Sequence, residues 1–160
     1  MIVVLMGVTG SGKSTVGELL ARQLSWKFFD GDDFHSADNI KKMREGTPLS
    51  DEDRLPWLNA LRETIRAAVD RRENAVIACS ALKRSYRQRL QVSTEVAFVY
   101  LKANASLVRD RLAKRRGHFM NRELIQSQFD SLEEPEAALR IDASLSPVEI
   151  VQEIRNRLGV

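Results

Sequence analysis

The sequence predicts an α/β fold in which a central parallel sheet of about five strands carries helices on both faces. Three observations predict it. Short, continuous apolar runs alternate along the chain with longer segments whose apolar residues recur at helical spacing. The first run, Ile2 to Met6, has no polar interruption, as expected of a parallel strand covered on both sides. The length of 160 residues suits one domain, and 43% hydrophobic with 29% charged residues excludes a disordered chain.

Taken in order, Ile2 to Met6 is the first strand, and Val16, Leu19, Leu20 and Leu24 then mark a helix over Lys13 to Leu24. Trp26 to Phe29 reads as a second strand ending at Asp30. Ala37 to Gly46 reads as a short helix, closed by Gly46 and the Pro48 turn. Leu55, Leu58, Leu61, Ile65 and Val69 share one face of a long helix with Ser50 and Asp53 as its capping pair. Pro56 is tolerated near the start of that helix, where N–H groups lack partners. Ala75 to Cys79 and Val96 to Leu101 supply the third and fourth strands. Helices follow around Ser106 to Arg116, interrupted by Gly117, and from Arg122 to Leu132 ahead of Pro135. Leu139 to Asp142 is a weak fifth strand. Ser146-Pro147-Val148-Glu149 starts a last helix with a cap, a proline and a capping-box glutamate; Val148, Val151, Ile154 and Leu158 form its apolar face.

The lone cysteine, Cys79, excludes a disulfide framework and reads as core. The apolar start carries no basic residue and stops at Gly7, so neither a signal nor a membrane span is expected, and the expected setting is cytoplasmic. The net charge is only +3, but Arg109, Arg111, Lys114, Arg115, Arg116 and Arg122 crowd one stretch, whereas acids dominate Asp30 to Asp53. Clustered cations suggest an anionic partner, nucleic acid or a phosphorylated small molecule, or else a solvated helix face.

Ligands of such sheets bind beyond the carboxyl ends of the strands. There the strongest motif stands: Gly7-Val8-Thr9-Gly10-Ser11-Gly12-Lys13-Ser14, with Thr15 beginning the helix proper. It matches the phosphate-binding loop, in which glycines let consecutive N–H groups turn onto phosphate oxygens at a helix N-terminus. Lys13 reaches the β and γ phosphates and the Ser14 hydroxyl can ligate magnesium. A nucleoside triphosphate is therefore the expected ligand.

The class of enzyme follows by exclusion. The Asp-x-x-Gly and Asn-Lys-x-Asp motifs of switch GTPases are absent, and no carboxylate ends the third or fourth strand as in motor ATPases. The acids follow the second strand instead, in Asp30-Gly31-Asp32-Asp33-Phe34-His35. That position suits a small-molecule kinase: Asp30 holds magnesium, and Asp32 bonds the acceptor hydroxyl and takes its proton. His35 either contacts the acceptor or solvates the turn, and Asp33 faces solvent. Arg111 and Arg115, four apart on one helix face, are the cations expected to meet the triphosphate, with Arg115 foremost in the transition state. Arg109 and Lys114 read as solvated. Lys83 and Arg84, after the third strand, can reach the cleft, whereas Trp57 reads as packing. A nucleic-acid patch has little aromatic support beyond Phe119.

From Leu5-Met6-Gly7-Val8 through Ser14 the chain resembles the gluconokinases, small phosphate-loop kinases related in build to shikimate kinase. The resemblance continues through Asp30-Gly31-Asp32, His35, Asn39-Ile40, Lys42-Met43, Pro48-Leu49 and Asp51 to Arg54 with Pro56-Trp57-Leu58. It resumes at Cys79-Ser80-Ala81-Leu82-Lys83 with Tyr86-Arg87, Tyr100-Leu101-Lys102, Gly117-His118-Phe119-Met120, and Ser127-Gln128-Phe129 with Leu132-Glu133-Glu134-Pro135. Ser36 and Asn121 depart from residues common in the family, and the stretch from Pro135 to Leu139 is short.

The resemblance implies a single three-layer P-loop kinase domain with a small mobile lid at about 113–135. It further implies ATP with Mg2+, transfer to the 6-hydroxyl of D-gluconate, and a homodimer, with no nucleic-acid or membrane partner. By the same resemblance Asp30 and Asp32 take the metal and acceptor roles, and Arg54, Lys83 and His118 become candidates for the acceptor's carboxylate and hydroxyls. Another small-metabolite or nucleotide kinase, and an end-processing ATPase acting on nucleic acid, are the rival expectations.

Overall fold

A computed structural model describes residues 1–114 and 122–160. Its sheet has five parallel strands, β1 (Ile2–Met6), β2 (Lys27–Asp30), β3 (Ala75–Ala78), β4 (Val96–Lys102) and β5 (Leu139–Asp142), in the order β2-β3-β1-β4-β5. The chain moves outward from β1 to β2 and later returns past β1 to β4 and β5. Strand β1 is thus central, and the loop following it sits where the winding reverses.

Seven α-helices are found among the described residues: α1 (Lys13–Leu24), α2 (Ala37–Arg44), α3 (Asp51–Asp70), α4 (Arg84–Leu90), α5 (Ala105–Lys114), α6 (Arg122–Ser131) and α7 (Pro147–Leu158). Successive residues of a strand face opposite sides, and β1 supplies both layers accordingly. Val3 and Leu5 join a core with Val16 and Leu20 of α1, Val108 and Leu112 of α5, and Ile150 and Ile154 of α7. Ile2, Val4 and Met6 join a second core with Trp57, Leu61 and Ile65 of α3 and Tyr86 and Leu90 of α4. All five β1 side chains are fully buried, which accounts for the unbroken apolar run.

The expected caps are present. Ser50 and Asp53 form a capping box at α3, and Ser146 and Glu149 form one at α7. Three expectations change. Val148 is 62% exposed rather than part of the apolar face of α7, and Leu55 of α3 is 43% exposed. The segment after Asp30, read as a turn, closes into a 3₁₀ turn at Gly31–Phe34 capped by the Asp30 carboxylate. Among the described residues no helix is long and apolar enough to cross a membrane.

Candidate active site

The loop from Gly7 to Gly12 leaves β1 and delivers Lys13 and Ser14 as the first two residues of α1. Gly10 and Gly12 have φ of 72° and 102°, left-handed torsions that admit glycine readily. They turn the loop back on itself ahead of the helix. The Lys13 ammonium lies over the loop, donating to the Val8 carbonyl at 3.0 Å. Arg111 of α5 donates to the carbonyls of Gly10 (3.3 Å), Ser11 (3.0 Å) and Ala143 (2.6 Å), tying the loop to the residue that follows β5. Arg109 and Lys114 are exposed, as expected, and Thr15 is exposed on α1.

The acidic pair meets this loop. Ser14 Oγ donates to Asp30 Oδ2 at 2.6 Å, and the other oxygen of that carboxylate accepts from the Asp32 backbone N–H at 3.0 Å. One carboxylate therefore joins the helix that follows the phosphate loop to the turn that carries Asp32. The Cys79 thiol lies just beyond β3 and is buried. Burial pushes it up to about 12, and it feels the charges of Lys13, Asp32 and Asp30.

The 3₁₀ turn is pressed onto the sheet. A Cβ at Gly31 would lie 2.5 Å from the Ala78 carbonyl oxygen, so only glycine fits there. Trp57 of α3 is buried, as read, and its indole N–H donates to the Gly31 carbonyl at 2.6 Å. Its ring also stacks on His35, with centroids 4.6 Å apart and planes 9° from parallel. Burial lowers the His35 pKa, against the pull of the Asp32 charge and with the push of Arg54. His35 Nδ1 is buried without a hydrogen-bond partner among the described residues. The imidazole is thus within electrostatic reach of both Asp32 and Arg54.

Arg54 and Lys83 come together as the sequence pairs them, but around groups that sequence reasoning passed over. Lys83 Nζ lies 2.8 Å from both oxygens of Asp51, and the Tyr86 hydroxyl also donates to Asp51. Arg54 NH1 reaches the Tyr86 oxygen at 3.4 Å and Asp51 at 3.7 Å. The bonds from Lys83 and then Tyr86 hold the Asp51 carboxyl below its usual range, and Asp51 holds the Lys83 ammonium above its own. Tyr86 is raised first by burial and then by Asp51. Its signal was the Tyr86-Arg87 pair, with Asp51 opening α3 in the same stretch as Arg54. The remaining sequence candidates, Arg115 and His118, lie outside the described residues.

Asp33 is exposed, as expected, and lines a separate cleft of about 550 Å³ along the outer edge of β2 with Glu18, Phe28, Phe29, Asp30 and Phe34. None of the residues around Asp51 borders it. Among the described residues no group of three or more His, Cys, Asp or Glu side chains is placed to hold a metal. The neighbouring Ser14 hydroxyl and Asp30 carboxylate are the hard oxygen ligands that Mg2+ takes when phosphates complete its shell. The residues present therefore fit that ion.

Comparisons with known proteins identify the family. The shikimate kinase family profile matches residues 9–158. A probable gluconokinase from Xenopus tropicalis is 42% identical over 99% of this chain and 93% of its own length. A gluconokinase from Arabidopsis thaliana is 44% identical over 96% of this chain and 89% of its own. The crystal structure of a gluconokinase from Sinorhizobium meliloti superposes with a TM-score of 0.88 at 44% identity, covering 98% of this chain and 90% of that one. With a phosphate loop joined through Asp30 to Asp32, and identities well above 30% across nearly its whole length, the chain belongs to the gluconokinase family of P-loop kinases.

Proposed function

We propose that this protein transfers the γ-phosphoryl group of ATP to the 6-hydroxyl of D-gluconate, giving 6-phospho-D-gluconate and ADP. One observation carries the reading. A chain of hydrogen bonds runs from Ser14 through Asp30 and Asp32 to His35, and His35 stacks on Trp57 of α3, the helix that carries Arg54 and Asp51 beside Lys83 and Tyr86. Donor anion and acceptor carboxylate can then occupy opposite ends of one row, with the base between them.

The loop amides and Lys13 bind the β and γ phosphates, and Arg111 keeps the loop in shape from behind. Ser14 and Asp30 would hold Mg2+, which would supply charge neutralisation at the phosphate oxygens. Asp32 accepts the proton of the 6-hydroxyl as that oxygen bonds to the γ-phosphorus, and the bond to the β–γ bridging oxygen breaks to release ADP. Arg54 and Lys83 bind the gluconate carboxylate, Arg54 through its planar fork. Tyr86 and Asp51 offer one donor and one acceptor to the hydroxyls, and His35 walls the acceptor side.

On the same reading one domain spans residues 1–160, and a lid at about 113–135 brings Arg115 to the transferring phosphoryl and His118 to the acceptor. The protein works as a homodimer in the cytoplasm on a small molecule, without nucleic-acid or membrane partners. The link from α6 to the phosphate loop supports the lid by tying its second half to the triphosphate site.

The test is ADP release across a panel of D-gluconate, other sugar acids, shikimate, nucleoside monophosphates and single-stranded oligonucleotides, with the product identified by phosphorus NMR. The expected result is preferred turnover of D-gluconate with phosphate on its primary alcohol. Faster turnover of shikimate or a nucleoside monophosphate, or stimulation by oligonucleotides, would overturn the assignment.

A further inference from the structure

Thr9 is the third residue of the phosphate loop, and its backbone N–H donates to Oε1 of Gln128 at 2.6 Å. An amide N–H can only donate, so the oxygen of the Gln128 amide is the atom that faces it, and the NH2 group is directed elsewhere. The same peptide unit is held at its other end, because the Val8 carbonyl accepts from Lys13 Nζ at 3.0 Å. Lysine at this position of the loop meets the β and γ phosphates. The peptide that Gln128 grips therefore lies at the γ end.

Gln128 arrives from α6, 119 residues away in sequence. Leu124 and Ile125 bury that helix, and Phe129 packs on the same core as α1 and α5. Just beyond α6, the Glu133 N–H donates to the Leu82 carbonyl and the Glu133 carboxylate accepts from the Arg84 N–H. The helix is thereby fastened to the loop that follows β3 on the acceptor side. A glutamine reaching the γ end from there presents an acceptor and a donor on one planar group.

We propose that Gln128 is a catalytic residue. Its carbonyl holds the Val8–Thr9 peptide, and its NH2 donates a hydrogen bond to the γ-phosphoryl oxygens as charge spreads over them in the transition state. The proposal rests on the kinase reading but not on the identity of the acceptor. A glutamate here would keep the acceptor for Thr9 while setting a negative charge against the phosphoryl group.

That asymmetry supplies the test. Gln128→Glu preserves the bond to Thr9 in charge-assisted form. The proposal expects kcat to fall about 100-fold or more, binding of a non-hydrolysable ATP analogue to weaken about 10-fold, and ADP affinity to stay within about twofold. Gln128→Met, of similar length with neither donor nor acceptor, is expected to lose about 10- to 100-fold in kcat, again with ADP affinity kept. A simple structural anchor predicts the opposite pattern, with Gln128→Glu retaining wild-type kcat and only Gln128→Met impaired. That pattern would overturn the proposal, as would equal weakening of ADP and the ATP analogue by Gln128→Glu. The thermal midpoint of each variant reports folding, and if the glutamate variant does not fold, the methionine variant decides by the same ratio of ATP-analogue to ADP affinity. The nucleotide measurements need no acceptor, so they stand even if gluconate proves to be the wrong substrate.

Discussion

A methyl group added at position 31 displaces Asp32 without touching a charged group. The Cβ of Gly31→Ala would lie 2.5 Å from the Ala78 carbonyl oxygen and 3.4 Å from Cys79 Cα, whereas ordinary contact begins at 3.4 Å. The turn must therefore retreat from β3 by about 0.9 Å, since the backbone of a central-sheet strand does not yield. Gly31 is not among the positive-φ residues, so the penalty is one of space alone. Overpacking of this kind costs about 1–3 kcal/mol of stability. The catalytic effect is larger. Phosphoryl transfer tolerates about 0.5 Å of misplacement, and a shift near 1 Å costs about 10²-fold in rate. Asp30 links the turn to Ser14, so ATP affinity should also weaken, though by a smaller factor than kcat. Steady-state ADP release with gluconate, ATP binding by calorimetry and a thermal melt measure the three quantities. A folded Gly31→Ala protein with kcat within about threefold of wild type would refute the claim that close approach to β3 sets the position of Asp32.

Lys13→Ala should abolish turnover, and Asp32→Asn should lower kcat by about 10²-fold or more, the scale of general-base loss; near-wild-type turnover by Asp32→Asn removes that residue from catalysis. Tyr86→Phe takes the hydroxyl from Asp51 and Arg54, so KM for gluconate should rise about 10-fold while KM for ATP holds; a change in KM for ATP instead would separate this cluster from the acceptor. Asp53, held down to about 2 chiefly by its bond from Lys42, has a folded pKa below its ordinary 3.8. Its contribution to stability is therefore present above about pH 4 and lost as pH falls toward 2. The urea midpoint of Asp53→Asn should accordingly decline less than that of wild type between pH 5 and about 2.5.

Elements punctuated locally were legible in the sequence. Helix α7 announces its start with Ser146-Pro147 and Glu149, and α1 and β5 run over the expected residues because Gly12 and the flanking polar residues bound them. Helix α4 was not foreseen. Its seven residues, RSYRQRL, bury only Tyr86 and Leu90, and its N-cap Lys83 makes no side-chain cap. The N-terminal amide of Arg84 is satisfied by Glu133, 49 residues later, a cap that no local pattern reveals. The site divides in the same way. The phosphate loop and the acidic pair are legible because each stands at a strand end, and Lys13 because it closes the loop motif as α1 begins. The roles of Asp51 and Tyr86 are not, because they arise only when α3 and α4 pack together over the second core. Trp57 was rightly read as packing, yet its bond to Gly31 depends on a contact across 26 residues.

The two oxygens of Asp30 have separate clients, the Ser14 hydroxyl on one side and the Asp32 amide on the other. On the proposed roles, a change that reshapes the nucleotide side is then passed on to Asp32. Divergence toward a new alcohol should instead accumulate along α3 and α4, where Asp51, Arg54, Lys83 and Tyr86 can be exchanged while the phosphoryl-transfer apparatus is inherited intact.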